Sequence, residues 1–130
     1  MAYLADTHTL VWWAFGDRRL SRKARALLDD QEQSIVLSTV SAIEIGTKLS
    51  IGKITLSGFD TPEQFFGELR RQRPFRLITV TMRHGCELAR LPRHHRDPFD
   101  RLLVSQALLE GHTLITNDRD IARYSAKTVW

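Results

Sequence analysis

Short apolar runs recur along the chain, and longer stretches of helix-forming residues separate them. The central runs are almost continuously apolar and rich in β-branched residues, which is typical of strands in a parallel sheet that is covered on both faces. This pattern predicts five strands: Tyr3–Ala5, Ser34–Leu37, Arg76–Val80, His112–Thr116 and Lys127–Trp130.

Helix-start signals fall between these strands. The predicted starts after the first helix are Ser21, Ser41, Thr61 and Asp97. Ser41 has Glu44 three residues later, which is the spacing of a capping box. Thr61 and Asp97 each precede a proline, which is favoured at the first position of a helix. The helix after Asp97 is predicted to end near Gly111, because glycine is the preferred residue just past a helix.

Strands that alternate with helices imply right-handed crossover connections between parallel strands. The predicted fold class is therefore α/β, with one mostly parallel sheet between helices on both of its faces. A chain of 130 residues fits a single domain, residues 1–130. The pattern leaves the order of the strands undetermined.

Composition and charge add three expectations. The net charge of +4 is a weak indication of a polyanionic partner. The single cysteine, Cys86, is expected to pack in the core and has no partner for an internal disulfide. No apolar run approaches the roughly 18 residues of a membrane span and no signal peptide opens the chain, so a cytoplasmic location is expected.

Four acidic residues are predicted to lie near the carboxyl ends of the strands. Asp6 and Asp118 follow the first and fourth strands, and Glu44 and Asp100 lie in the first turns of helices. Ligands of open parallel sheets bind at the carboxyl ends of the strands, so the four carboxylates are expected to converge. Clustered carboxylates repel one another unless a cation compensates them. Their chemistry suits Mg²⁺ or Mn²⁺, and two such ions can promote phosphodiester hydrolysis.

Each acid also has a purely structural explanation. Asp6 could cap the first helix, and Glu44 could pair with Lys48 one turn later. Asp118 could cap a helix that begins at Arg119, and Asp100 could stabilise the first turn of its helix through the helix dipole. Only the joint placement of the four carboxylates favours a metal site.

Four blocks of the sequence together resemble the VapC toxins of bacterial VapBC toxin–antitoxin pairs. The blocks are Ala5–Trp13, Ser41–Ile45, His94–Leu103 and Leu114–Asp118. The resemblance implies a PIN domain that cleaves RNA with Mg²⁺ or Mn²⁺, forms a dimer and is inhibited by a VapB antitoxin. It also implies that Asp6, Glu44, Asp100 and Asp118 form the catalytic metal site, with Thr116 and Asn117 as possible supports.

The block around Asp100 carries two finer predictions. Asp97 precedes Pro98 and is predicted to be the helix N-cap, which leaves Asp100 as the metal ligand. A basic run beside it is a candidate RNA contact, comprising Arg93, His94, His95, Arg96 and Arg101. No histidine is placed by the sequence to act as a general base, so the expected nucleophile is water activated by metal.

Two other functions remain open. A metal-dependent phosphatase-type α/β domain would need a second aspartate two residues after Asp6, where the chain has His8. A PIN-fold binding module without nuclease activity is the other alternative. The complete set of acids favours the nuclease over both.

Overall fold

The computed structural model describes residues 2–130, and its centre is a single sheet of five parallel strands. The strands are β1 (Ala2–Ala5), β2 (Ser34–Ser38), β3 (Arg76–Ile78), β4 (Thr113–Ile115) and β5 (Thr128–Val129). All five lie within two residues of their predicted positions. The third strand ends two residues earlier than predicted, and β4 and β5 each lose a residue at both ends.

Six α-helices connect and flank these strands within residues 2–130. They are α1 (Thr7–Ala14), α2 (Arg22–Asp29), α3 (Thr39–Ser50), α4 (Pro62–Gln72), α5 (Met82–Glu87) and α6 (Pro98–Glu110), and a 3₁₀ turn follows at Ile121–Arg123. The predicted N-caps Ser21, Thr61 and Asp97 are confirmed, since each side chain accepts a backbone N–H of the first turn. Gly111 ends α6 in the left-handed conformation, with φ of 72°.

The start of α3 was predicted wrongly. Its N-cap is Ser38, whose hydroxyl accepts the backbone N–H of Val40 at 3.1 Å, so Ser41 is already inside the helix. The hydroxyl of Ser41 instead lies 3.0 Å from that of Thr7 and joins α3 to α1. Glu44 consequently stands in the second turn of α3, not in the first.

Side chains that alternate along the strands divide the core into two layers. Ala5, Ile35 and Ile115 belong to the cluster that contains residues of α1, α2 and α4. Leu4, Val36 and Leu114 belong to the other cluster, which contains residues of α6. Helices therefore cover both faces of the sheet, as the near-continuous apolarity of the strands predicts.

The strand order is β3-β2-β1-β4-β5. The chain builds outward from β1 to β3 on one side, then returns to the other side of β1 to add β4 and β5. The order thus reverses between β1 and β4, and the crevice beyond such a switch point is where open α/β sheets bind ligands.

Cys86 is exposed on the short helix α5, so its predicted core position is wrong. The buried face of α5 presents His84 instead. Within residues 2–130, no helix has the length and apolarity that crossing a membrane requires.

Candidate metal centre

Asp6 lies at the switch point, directly after β1, and is only 4% exposed. Its backbone N–H continues the sheet by donating to the carbonyl of Ile115 in β4. Its Oδ1 accepts the backbone N–H of Thr9 at 2.8 Å, so Asp6 is also the N-cap of α1. Burial raises the pKa of this carboxyl, while hydrogen bonds from Thr116 and Thr9 oppose the rise. A capping role and a site role therefore coexist in one residue.

Glu44 projects from α3 and is 1% exposed. Its Oε2 accepts a hydrogen bond from Nζ of Lys48 at 2.5 Å. Its Oε1 is buried without any hydrogen-bond partner. An unpaired buried acceptor costs about 1–3 kcal/mol, and more when it is charged, so this oxygen is suited to receive a cation.

Asp97 and Asp100 have different environments at the start of α6. The Oδ1 atom of Asp97 accepts the backbone N–H groups of Phe99 at 2.8 Å and Asp100 at 3.4 Å, which confirms Asp97 as the N-cap. Burial, followed by the charges of Asp97, Glu44 and Asp6, raises the pKa of Asp100 to about 7, although His95 lowers it. The carboxylates of Asp97, Glu44 and Asp6 are therefore near enough to that of Asp100 to act on it electrostatically.

Asp118 follows β4 by three residues and closes the cluster. Its Oδ1 caps the following turn by accepting backbone N–H groups of Asp120 at 2.8 Å and Ile121 at 3.1 Å. Its Oδ2 faces Nε2 of His95 at 2.9 Å. Burial raises the pKa of Asp118, but the hydrogen bonds from His95 and the backbone outweigh this effect and leave it lowered.

Thr116 and Asn117 occupy the turn that carries Asp118. The Oγ1 of Thr116 accepts the backbone N–H of Asp118 at 3.1 Å, and the same side chain bonds to Asp6. Asn117 is exposed, and none of the hydrogen bonds described here involves its side chain. Thr116 therefore links the loops after β1 and β4, whereas a supporting role for Asn117 remains a prediction.

His95 lies among the acidic side chains of the centre, a position that the sequence analysis did not predict. Its Nε2 lies 2.9 Å from Oδ2 of Asp118 and 3.2 Å from Oδ2 of Asp100, and the three atoms fall within 4.8 Å of one another. The carboxylates raise the pKa of the ring against the opposing effect of burial. The only signal in the sequence was its position two residues before the N-cap Asp97, and that position does not fix the direction of a side chain on a loop.

The donor set fits a divalent cation such as Mg²⁺ or Mn²⁺. Its acidic side chains offer carboxylate oxygens, which hard cations prefer. Glu44 Oε1 is a buried acceptor without a partner, and the pKa of Asp100 is raised first by burial and then by neighbouring carboxylates, which a bound cation would offset. Asp6, Glu44, Asp100 and Asp118 are the residues that would hold it.

The basic run predicted to contact RNA is only partly available. Arg93 and Arg96 are exposed near the centre, and His94 packs edge-on against Tyr124. Arg101 does not fit the prediction, because it is 9% exposed and donates to the carbonyls of Pro92 and Leu88. Its charge is used to hold the loop before α6, so Arg101 is a structural residue.

These features define an α/β domain with a cluster of acidic side chains at the switch point of a parallel sheet. The model of the PIN domain family matches residues 3–127. The chain therefore belongs to the PIN domain family, which confirms the fold predicted from the sequence. No match was found among curated proteins.

Two solved structures are similar to the chain over nearly its whole length. One is from VapBC2 of Rickettsia felis bound to a DNA fragment from its promoter, with a TM-score of 0.72, 16% identity and coverage of 100% of this chain and 99% of that chain. The other is from FitAcB of Neisseria gonorrhoeae, with a TM-score of 0.66, 14% identity and coverage of 98% and 96%. At this identity the matches establish the shared fold, which agrees with the resemblance to VapC toxins.

Proposed function

We propose that the protein is a metal-dependent endoribonuclease and the toxin of a toxin–antitoxin pair. The proposal is supported by the electrostatic proximity of Asp6 and Glu44 to Asp100, by the cluster of Asp100 and Asp118 with His95, and by the buried Glu44 oxygen that has no partner. Membership of the PIN family and the net charge of +4 support a nucleic-acid substrate.

In this proposal, different side chains hold the metal, position its ligands and contact the RNA. Asp6, Glu44, Asp100 and Asp118 hold Mg²⁺ or Mn²⁺, which supplies Lewis-acid stabilisation of phosphoryl oxygens and lowers the pKa of water. Asp97 fixes Asp100 by capping α6, and Thr116 orients Asp6. The exposed Arg93 and Arg96 contact the RNA backbone, which positions the substrate without reading its sequence.

The proposed partner is a small VapB-type antitoxin that covers the acidic centre, and the active form is a homodimer in the cytoplasm. The resemblance to VapC and the fold match to VapBC2 support this assignment. Purification of the chain from its native host should yield a complex with a small protein and no Mg²⁺-dependent cleavage. Recovery of free, active protein would contradict the proposal.

The decisive experiment measures RNA cleavage by metal-free protein after addition of Mg²⁺ or Mn²⁺, and sequencing of the new ends identifies the substrate. EDTA and Asp6→Asn should each abolish cleavage, whereas Asp60→Asn, which alters an exposed acid beside α4, should have no effect. Undiminished cleavage in EDTA would refute metal dependence. Binding of metal and RNA without cleavage would favour the non-nuclease binding module.

A further inference from the structure

His95 stands among the acids at a distance that suits two different roles. Its Nε2 could bind a cation together with Asp100 and Asp118, or it could donate a hydrogen bond to Asp118 beside the carboxylate of Asp100. The two roles require different tautomers of the ring, because a nitrogen that binds a metal carries no proton.

The other ring nitrogen decides between these roles. The backbone N–H of Asp97 points at Nδ1 of His95 at 3.0 Å and donates to it. Nδ1 must therefore offer its lone pair, so the proton of the neutral ring resides on Nε2. Nε2–H then donates to Oδ2 of Asp118 at 2.9 Å, while Oδ2 of Asp100 lies 3.2 Å from the same nitrogen.

The loop that carries His95 is held by contacts that fix this orientation. The backbone N–H of His95 donates to the hydroxyl of Tyr124 at 3.0 Å. Arg101 binds the carbonyls of Pro92 at 3.0 Å and Leu88 at 2.8 Å, and it also donates to Tyr124. The buried guanidinium thus secures the segment on which the imidazole is mounted.

We propose that His95 is a positioning residue that orients the carboxylate of Asp118 through Nε2–H, beside that of Asp100, and that it is not a ligand of the cation. The inference rests on the proposed metal site. Oδ1 of Asp118 is already committed to two backbone N–H groups. The hydrogen bond from His95 therefore fixes the other oxygen, Oδ2, while Oδ2 of Asp100 lies 3.2 Å from the same nitrogen.

Nuclear magnetic resonance of protein with ¹⁵N-labelled histidine tests the tautomer directly, with His95→Gln used to assign the signals. At a pH above the titration range of the ring, we expect a protonated Nε2 and an unprotonated Nδ1, both without metal and with saturating Mg²⁺. A change to the Nδ1–H tautomer on Mg²⁺ addition would identify His95 as a ligand and overturn the proposal. An Nδ1–H form of the neutral ring without metal would also overturn it.

Calorimetric titration of metal-free protein with Mg²⁺ tests the positioning role. His95→Ala should weaken Mg²⁺ binding by about 10- to 100-fold, as loss of a partner that orients a ligand typically does. His95→Gln keeps an N–H donor at similar reach and should lose less than about fivefold. Asp60→Asn, which alters an exposed acid beside α4, is the control and should bind as the wild type does.

Loss of the positioning role and loss of the metal site would give different results. Equal losses in the Ala and Gln variants, or unchanged binding in both, would refute the positioning role while Mg²⁺ binding by the wild type stands. Absence of any Mg²⁺ or Mn²⁺ binding by the wild type would refute the proposed metal site itself, and the role of His95 with it.

Discussion

The carboxyl of Asp100 is expected to destabilise the metal-free protein at neutral and higher pH, and Asp100→Asn should remove this cost. The pKa of Asp100 is about 7 in the folded protein against an ordinary value of 3.8. The folded state therefore binds this proton more tightly than the unfolded state does. The free energy of unfolding consequently falls as the pH rises between these two values.

The size of the effect follows from the shift. Each pKa unit corresponds to about 1.4 kcal/mol, so the cost is about 4 kcal/mol at pH 8 and about 2 kcal/mol at pH 5. The side chain is 15% exposed, so solvent screens the interaction only modestly. The neighbouring acids share in the repulsion, which makes these figures upper limits. The advantage of Asp100→Asn should therefore grow by about 2 kcal/mol between pH 5 and pH 8.

Urea unfolding in EDTA, followed by tryptophan fluorescence at both pH values, measures this difference. Asp60→Asn, which alters an exposed acid, is the control and should match the wild type throughout. Mg²⁺ should reduce the advantage of Asp100→Asn, because a ligand at 100 times its Kd stabilises the folded wild type by about 2.7 kcal/mol. A difference that is the same at pH 5 and pH 8, or a less stable variant at pH 8, would refute the reasoning.

Two further predictions concern the start of α6. Asp97→Asn should keep most of the RNA cleavage, because Asn remains a good N-cap. Asp100→Asn should reduce cleavage by about 100-fold or more, since even residues that only orient metal ligands contribute about 10- to 100-fold. The opposite ranking in folded variants would reverse the two assignments. Arg101→Met should lower the free energy of unfolding by about 2–4 kcal/mol, because the carbonyls of Pro92 and Leu88 lose a charged donor. Unchanged stability in chemical denaturation, together with weaker RNA binding, would instead support the original prediction that Arg101 contacts RNA.

The sequence by itself determined the class of fold and the elements whose signals are local. Ser21, Thr61 and Asp97 cap helices as predicted, and Gly111 ends one, because capping depends on a few consecutive residues. The sequence also placed Asp6 at the candidate metal centre, because the carboxyl ends of parallel strands lie at one edge of the sheet.

Local signals failed where two residues satisfied the same rule or where exposure depended on distant packing. Ser38 and Ser41 both suit an N-cap, and the end of β2, set by its pairing with β1 and β3, selects Ser38. Cys86 lies on the outer face of α5, while His84 of the same helix faces inward and bonds to Glu110 of α6. The sequence near Cys86 contains no information on which face α6 covers.

Only the tertiary structure decided the strand order and the directions of the loop side chains at the centre. The order could not be derived because periodicity describes each strand and not its neighbours. The guanidinium of Arg101 and the backbone N–H of His95 both donate to the hydroxyl of Tyr124, which lies more than twenty residues further along the chain. These bonds hold Arg101 inward and the loop of His95 beside the acids. The orientation of a loop side chain is set by the contacts that hold the loop, and these contacts exist only once the chain has folded.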